Sequence, residues 1–102
     1  MLLIWLACTS PSQPLPCEDM APGLDRDICL SKRLETHTTP EQASLDAALI
    51  ADPVVRGAAV MRWVETHNKA WNPQQVLPLC DQLEGRDRGA CHRRVQSAHL
   101  NR

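Results

Sequence analysis

The sequence contains few large aromatic side chains. Its 102 residues include no phenylalanine, no tyrosine and three tryptophans, one of which is Trp5. Because large side chains supply most of the burial energy of a small domain, this composition predicts a weak core of alanine, leucine and valine. A domain of this size with such a core usually needs covalent cross-links. The five cysteines are in keeping with that need.

Long apolar runs and strand-like alternation are also missing. The apolar run at the start of the chain, residues 1–8, is too short to span a bilayer. No stretch alternates apolar and polar residues with the period of a strand. Since the hydrophobic share of 43% is ordinary for a globular protein, we predict a single all-α domain over residues 17–102.

Motifs of common enzymes and metal sites are absent from the sequence. There is no Gly-x-Ser-x-Gly, no glycine-rich phosphate loop and no His-Glu-x-x-His. The residues that could make a zinc set are Cys80, Cys91, His92 and His99, with His37 and His67 also available. They show neither Cys-x2-Cys nor His-x3-His spacing, and the carboxylates are not paired for acid–base chemistry. We therefore expect no enzyme activity, no metal and no cofactor.

The first sixteen residues have the composition of an export signal followed by a tether. Residues 1–8, MLLIWLAC, end in a small residue and a cysteine, and residues 9–16 are rich in proline and serine. This resembles the end of a bacterial lipoprotein signal, which implies a signal at 1–7, a lipid on Cys8 and a disordered tether at 8–16. The segment departs from the pattern in lacking an early Lys or Arg and in carrying Trp5 where leucine is preferred. The alternatives are an ordinary secretory signal and a disordered N-terminus with an incidental cysteine.

The other four cysteines lie in two segments that share a pattern. Each segment contains Asp-Arg-x-x-Cys, at 25–29 and at 87–91, with a second cysteine upstream. In an exported protein an even set of cysteines is normally a disulfide framework. Local pairing, Cys17–Cys29 and Cys80–Cys91, is favoured because a glycine-containing turn lets the chain double back in each segment. The alternative, Cys17–Cys91 with Cys29–Cys80, would place the two segments face to face.

Capping residues followed by proline predict the starts of three helices, at Thr39-Pro40, Asp52-Pro53 and Asn72-Pro73. Asp25 and Asp87 are predicted to cap two more, which gives a bundle of about four to five short helices. The predicted spans are 25–37, 40–51, 53–67, 73–84 and 87–100. Pro78 is expected to kink or split the fourth.

Helical periodicity predicts which side chains face inward. The predicted inward residues are Ile28, Cys29 and Leu34 in the first helix, and Val55, Ala59, Val60, Trp63, Val64 and His67 in the third. The residues predicted to face water in and after the third helix are Arg56, Arg62, Glu65 and Lys69.

Residues 45–64, LDAALIADPVVRGAAVMRWV, resemble a single HEAT-type repeat through Leu45, the Asp52-Pro53 turn and the alanines and valines around it. The resemblance implies an antiparallel αα-hairpin. It does not imply a solenoid, because such arrays need at least about three units. The whole chain is also similar to uncharacterised small bacterial lipoproteins with cysteine-bracketed helical corners, which implies no activity.

Charge is unevenly distributed although the net charge is −1: residues 17–52 hold eight acids against three bases, and residues 84–102 hold five arginines against two acids. Arg86, Arg93 and Arg94 are predicted to bind an acidic protein or an anionic lipid surface. The alternative is a solvated face that pairs with the acidic half of the domain. No nucleic-acid partner is expected, because the chain is not basic overall.

Together these features favour a membrane-tethered, extracytoplasmic binding or scaffolding protein, anchored through Cys8. One alternative is a soluble secreted helical domain that contributes its HEAT-like hairpin to a larger assembly. A small metal-binding protein is a weaker one. The oligomeric state stays open.

Overall fold

The computed structural model describes residues 16–100, without the side chains of residues 99 and 100. This part of the chain folds into five α-helices and two short 3-10 turns, with no β-strand. The helices are α1 (Leu24–Thr36), α2 (Pro40–Leu49), α3 (Pro53–His67), α4 (Pro73–Cys80) and α5 (Gly85–Leu100), and the turns are Cys17–Asp19 and Asn68–Ala70. The predicted all-α class is confirmed. The predictions for the signal segment, for the lipid on Cys8 and for the tether up to residue 15 lie outside the described residues.

The three cap-plus-proline starts are confirmed by their hydrogen bonds. The Thr39 hydroxyl accepts from the backbone amide of Gln42 at 3.3 Å, and the Asp52 carboxylate accepts from two amides of the first turn of α3. Asn72 and Gln75 form a reciprocal capping box at the start of α4. In each case the proline that follows occupies a position whose N–H would have no partner within the helix.

The predicted caps at Asp25 and Asp87 are wrong. Helix α1 begins one residue earlier, at Leu24, and α5 begins at Gly85, so both aspartates lie inside the first helical turn. Gly23 and Gly85 have φ values of +149° and +53°, which glycine adopts without the strain a side chain would cause. The chain can therefore turn into each helix before it reaches the aspartate. There the carboxylate still interacts favourably with the helix dipole.

The buried core runs through all five helices. Its largest member is Trp63, whose indole Nε1 donates to the carbonyl oxygen of His37 at 2.9 Å. The other fully buried large side chains are Leu30, Leu34, Ile50, Val60, Val64, Val76, Leu79 and Val95, with Cys80 and Cys91. The inward stripe predicted for α3 is thereby confirmed at its centre.

Ile28, predicted to face inward, is 39% exposed. Asp27 takes its place on the buried side of α1. Its two carboxylate oxygens accept hydrogen bonds of 3.0 Å from the backbone amides of Ala51 and Asp52, in the turn between α2 and α3. Since α1 is oriented to bring Asp27 to that turn, the next residue along points outward.

Arg56, predicted to face water, has a side chain that is only 16% exposed. Its guanidinium donates to the carbonyl oxygen of Ile50 at 3.1 and 2.9 Å, to that of Ala51 at 3.3 Å and to that of Gln82 at 3.2 Å. Carbonyl groups that follow a helix have no partner within it, so this arginine satisfies the ends of α2 and α4 together.

Two disulfides each join cysteines that are close to one another in the sequence. Cys17 is bonded to Cys29, with Cα atoms 5.7 Å apart, and Cys80 to Cys91, with Cα atoms 5.5 Å apart. The first joins the N-terminal 3-10 turn to α1, and the second joins α4 to α5. The structure thus contains the favoured local pairing. Helix α4 runs through Pro78 and ends at Cys80, and the amide N–H that Pro78 lacks would have bonded the carbonyl oxygen of Gln74 within the helix.

Candidate binding groove

The structure separates the three arginines that the sequence singled out. All three lie exposed on α5. Arg93 and Arg94 line a groove between α3 and α5, whereas Arg86 lies in the first turn of α5 and does not line it. At 1.5 Å per residue, Arg86 is about 10 Å from Arg93 along the helix axis. The candidate site is therefore smaller than the three-arginine face.

Two clefts between α3 and α5, each lined in part by Arg94, are together called the α3–α5 groove. The first has a volume of about 290 Å³ and is lined by Val64, Glu65, Asn68, Lys69, Arg94 and Ala98. The second has a volume of about 330 Å³ and is lined by Met61, Ala90, Arg93, Arg94 and Ser97.

Small residues lie where α3 and α5 face each other. A Cβ atom added to Gly57 on α3 would lie 2.7 Å from Oδ2 and 3.3 Å from Cγ of Asp87, so the Asp87 side chain occupies the space beside Gly57. Further along α5, Ala90 and Ala98 face the clefts with short side chains. The longer side chains around them then form the walls of the groove.

The groove carries more positive than negative charge. Its cations are Lys69, Arg93 and Arg94, and Glu65 is its anion. Arg94 Nη2 lies 2.7 Å from Glu65 Oε2, and both side chains are about half exposed. Within residues 16–98 no ion pair involves Arg93. An anionic ligand is the kind that this balance of charge favours.

Asn68 supplies the buried polar group of the groove. It is 3% exposed, and its Oδ1 has no hydrogen-bond partner among the residues that the structure describes. The sequence indicated only a loop at this position, whereas the 3-10 turn after α3 folds the side chain inward against the first cleft. No feature of the sequence distinguished Asn68 from a solvated loop residue.

A second polar cluster ties the N-terminal turn to α1 and α2. Arg33 donates to both carboxylate oxygens of Glu18, at 2.9 and 2.7 Å, and to both of Asp46, at 3.0 and 2.7 Å. His37 Nε2 lies 2.7 Å from Asp46 Oδ2. The hydrogen bonds from Arg33 lower the pKa of Glu18 to about 2 and raise the pKa of Arg33. Because these groups satisfy one another, we interpret the cluster as structural.

This cluster was not among the sites predicted from the sequence. Asp46 is buried on the inner side of α2 beside Ala43 and Ala47. The available signal was its position, because Asp46 lies three residues after the inward-facing Ala43 and next to the inward-facing Ala47. A carboxylate on the buried side of a helix needs hydrogen-bonding partners.

The candidate zinc ligands have other partners. The two cysteines are joined in a disulfide, and His92 Nε2 lies 2.9 Å from Asp81 Oδ1. That hydrogen bond, followed by the charge of Arg88, lowers the pKa of Asp81. His67 stacks on Trp63 with ring centroids 4.6 Å apart, as expected of a residue at the edge of the core. Among the described side chains, which exclude His99, no cluster of three metal-binding residues occurs.

Comparison of the chain with models of known protein families finds no match, and comparisons with curated proteins and with solved structures find none either. Within residues 16–100, no helix is long and apolar enough to cross a membrane. The two disulfides are compatible with an extracytoplasmic location. A proposal about function therefore rests on these disulfides and on the groove.

Proposed function

We propose that the chain is a membrane-tethered, extracytoplasmic protein that acts by binding or scaffolding. The observation that carries the proposal is the pair of local disulfides, because such bonds persist in oxidising compartments. They use four of the five cysteines and leave Cys8. A lipid on Cys8 accounts for the odd cysteine, in agreement with the resemblance of residues 1–8 to a lipoprotein signal.

The α3–α5 groove is the part of the domain to which we assign binding. Its positive charge favours an acidic partner protein, and an anionic lipid surface is the other partner that this charge would attract. The eight residues between Cys8 and Cys17 would span at most about 28 Å when extended, since a residue contributes about 3.5 Å. A partner at or near the membrane surface lies within that reach.

Metabolic labelling with a clickable fatty acid tests the anchor. Expressed in a bacterium that processes lipoproteins, the natural chain should be labelled and should sediment with membranes. A Cys8→Ser variant should lose both properties, while a Ser10→Ala control keeps them. Labelling that survives the loss of Cys8 would remove the anchor from the proposal.

A second candidate is a soluble secreted helical domain whose α2–α3 hairpin completes a larger assembly. Leu45 is 69% exposed and Leu49 is 40% exposed, one turn apart on α2. Leu45 borders a groove of about 460 Å³ between α2 and α4. A neighbouring HEAT-like hairpin would cover these leucines. The test is whether each variant restores the function of the natural protein in cells from which that protein has been deleted. This candidate predicts that Cys8→Ser restores it and Leu45→Gln does not. The membrane-tethered role predicts the reverse.

A further inference from the structure

Large apolar side chains are exposed at one end of the helical bundle. The carboxylate of Asp27 in α1 accepts hydrogen bonds from the backbone amides of Ala51 and Asp52, so the first turns of α1 and α3 lie side by side. Leu24 begins α1 and is 61% exposed, and Val54, in the first turn of α3, is 75% exposed. These two side chains therefore remain largely in water in the isolated domain.

The segment that leads into α1 extends this apolar surface. Residues 20–24, Met-Ala-Pro-Gly-Leu, carry no charge, and Ala21 and Pro22 are exposed. Ile28 lies one turn after Leu24 on the same side of α1 and is 39% exposed. The surface formed by these residues and the start of α3 is called the apolar end, and its members are Ala21, Pro22, Leu24, Ile28, Pro53 and Val54.

The first disulfide fixes where the chain joins the domain. Cys17 is bonded to Cys29, the residue next to Ile28, with Cα atoms 5.7 Å apart. Two hydrogen bonds from Arg33 to the carboxylate of Glu18 hold the following residue to α1 as well. The chain therefore joins the domain beside α1, close to the apolar end.

An anchor on Cys8 keeps the apolar end near a membrane. The eight residues between Cys8 and Cys17 span at most about 28 Å when extended, at about 3.5 Å per residue. Confinement within this distance acts as a high effective concentration, so a contact too weak to hold a free domain on a membrane becomes populated. A few apolar side chains at the level of the lipid headgroups form a contact of that kind.

The charges beside the apolar end indicate which lipids it meets. Asp25 follows Leu24, Asp52 precedes Pro53, and both aspartates are exposed. Carboxylates are repelled by anionic headgroups, whereas the ammonium group of a zwitterionic headgroup attracts them. Zwitterionic lipid is therefore the kind that this end of the domain favours.

We propose that the apolar end lies in the headgroup region of the membrane to which Cys8 is anchored, with zwitterionic lipid around it. This inference rests on the proposed membrane anchor and adds the face of the domain that meets the bilayer. Met61, the first residue of α3 in the α3–α5 groove, is about 10 Å further along the helix axis than Val54, at 1.5 Å per residue. The groove is therefore held back from the bilayer and stays open to a partner.

Nanodiscs that contain a paramagnetic lipid test this orientation. The full chain, with both disulfides intact, has one free thiol, Cys8, which is coupled to a maleimide lipid in the disc. The discs consist of phosphatidylcholine with a small share of a gadolinium-chelating lipid, and each carries one protein chain. NMR of labelled methyl groups then measures the paramagnetic relaxation of each side chain, which rises as the side chain approaches the bilayer.

The expected result is strong relaxation confined to the apolar end. The methyl groups of Leu24, Ile28 and Val54 should lose most of their signal. Those of Leu45 and Leu49 on α2, which are 69% and 40% exposed, should keep theirs. Equal relaxation of the two sets would mean that the domain has no preferred face on the membrane, and this would overturn the proposal.

Methyl groups of the α3–α5 groove report on the opposite orientation. Ala90 and Ala98 line the two clefts of that groove. If their signals are lost more than those of the apolar end, the arginine face of α5 is the side that meets the lipid, and the proposal is wrong.

Substitutions separate a contact with lipid from mere closeness to the anchor. Leu24→Ser with Val54→Ser should lower the relaxation of Ile28 by about twofold or more, because the loss of two apolar contacts shifts the docking equilibrium by about tenfold. The matched control, Leu45→Ser with Leu49→Ser, should leave the relaxation of Ile28 unchanged. All four positions are exposed, so the fold tolerates the changes. If both pairs lower the relaxation equally, or neither does, the proposal fails.

Lipid composition tests the preference for zwitterionic headgroups. Discs of one part phosphatidylglycerol to three parts phosphatidylcholine should lower the relaxation of Ile28 relative to phosphatidylcholine alone. Stronger relaxation on the anionic discs would mean that cationic side chains hold the domain on the membrane, which contradicts the proposal. If the signals of Leu24 and Val54 are lost only on discs that hold two chains, a second copy covers the apolar end, and the proposal is equally wrong.

The chemical coupling at Cys8 separates this inference from the anchor on which it rests. Because the maleimide lipid is attached in vitro, the relaxation of the apolar end does not depend on whether cells attach a lipid to Cys8. Failure of the metabolic labelling would remove the natural anchor, whereas failure of the nanodisc experiment would remove the contact between the apolar end and the bilayer.

Discussion

Arg33 on α1 donates two hydrogen bonds to the carboxylate of Asp46 on α2, at 3.0 and 2.7 Å. Asp46 is buried, whereas the side chain of Arg33 is about one-third exposed. Asp46→Ala removes a buried carboxylate that is hydrogen-bonded to Arg33 and His37, while Arg33 keeps its hydrogen bonds to Glu18. Because hydrogen bonds to charged groups contribute more than neutral ones, we expect the free energy of unfolding to fall by about 2–3 kcal/mol. Urea denaturation followed by circular dichroism measures this.

Asp81→Ala is the control for that prediction. Asp81 pairs with His92 and Arg88, but its side chain is half exposed. Exposed pairs contribute less than about 1 kcal/mol, so this variant should be nearly as stable as the natural chain. If the free energy of unfolding fell equally in the two variants, the burial of Asp46 would not be what makes its interactions stabilising.

Glu18 should make stability depend on pH in the acid range. The pKa of Glu18 in the folded chain is lowered from 4.5 to about 2 by its hydrogen bonds with Arg33. Because the folded pKa lies below the ordinary value, its contribution is complete above about pH 4.5 and is lost as the pH falls toward 2. Melting temperatures measured between these pH values should fall less steeply in Glu18→Gln than in the natural chain. Parallel curves for the two proteins would contradict the prediction.

A side chain at Gly57 should require the exposed carboxylate of Asp87 to move, because a Cβ there would lie 2.7 Å from its Oδ2. We expect Gly57→Ala to destabilise the fold by about 1 kcal/mol, although alanine is the better helix former. Adding Asp87→Ala should recover most of the loss, since it removes the clashing group. Thermal unfolding of the single and double variants measures both effects.

Gly89→Ala provides the matched control on α5. A Cβ at Gly89 would meet only the mobile end of Arg93, at 3.3 Å. This variant should be as stable as the natural chain, or more stable by up to about 1 kcal/mol through helix propensity. Loss of stability at Gly89 as large as at Gly57 would show that the close approach to Asp87 is not the cause.

Arg56 should be difficult to replace, even by lysine. Its guanidinium reaches carbonyl oxygens of Ile50, Ala51 and Gln82 at once, and one ammonium group cannot reproduce that geometry. Arg56→Lys should cost about 1–3 kcal/mol through the carbonyl groups left unpaired. Arg62→Lys, at an exposed position of the same helix, should cost less than about 0.5 kcal/mol. Denaturant midpoints of the two variants compare them directly.

Much of the fold could be predicted from local chemistry. Thr39, Asp52 and Asn72 act within their own helix starts, so a few adjacent residues were enough to identify them. The disulfide pairing followed from short separations in the same way. The predicted caps at Asp25 and Asp87 were wrong because glycines just upstream allowed the helices to begin earlier.

Contacts between distant residues could not be predicted in this way. Helical periodicity does not distinguish an arginine in water from Arg56, whose acceptors include a carbonyl 26 residues away. The groove could not be predicted from local sequence patterns for the same reason. The exposure of Arg93 and Arg94 was expected from their charge, but the clefts and the burial of Asn68 arise from the packing of α5 against α3 and the turn that follows it.

The most direct test of the account is the intact mass of the natural protein, extracted from bacterial membranes and measured before and after reduction. The account predicts a chain that begins at Cys8 and carries a diacylglyceryl group, and that gains four hydrogens when its two disulfides are reduced. An unlipidated chain that still contains residues 1–7, or a mass that reduction does not change, would contradict it.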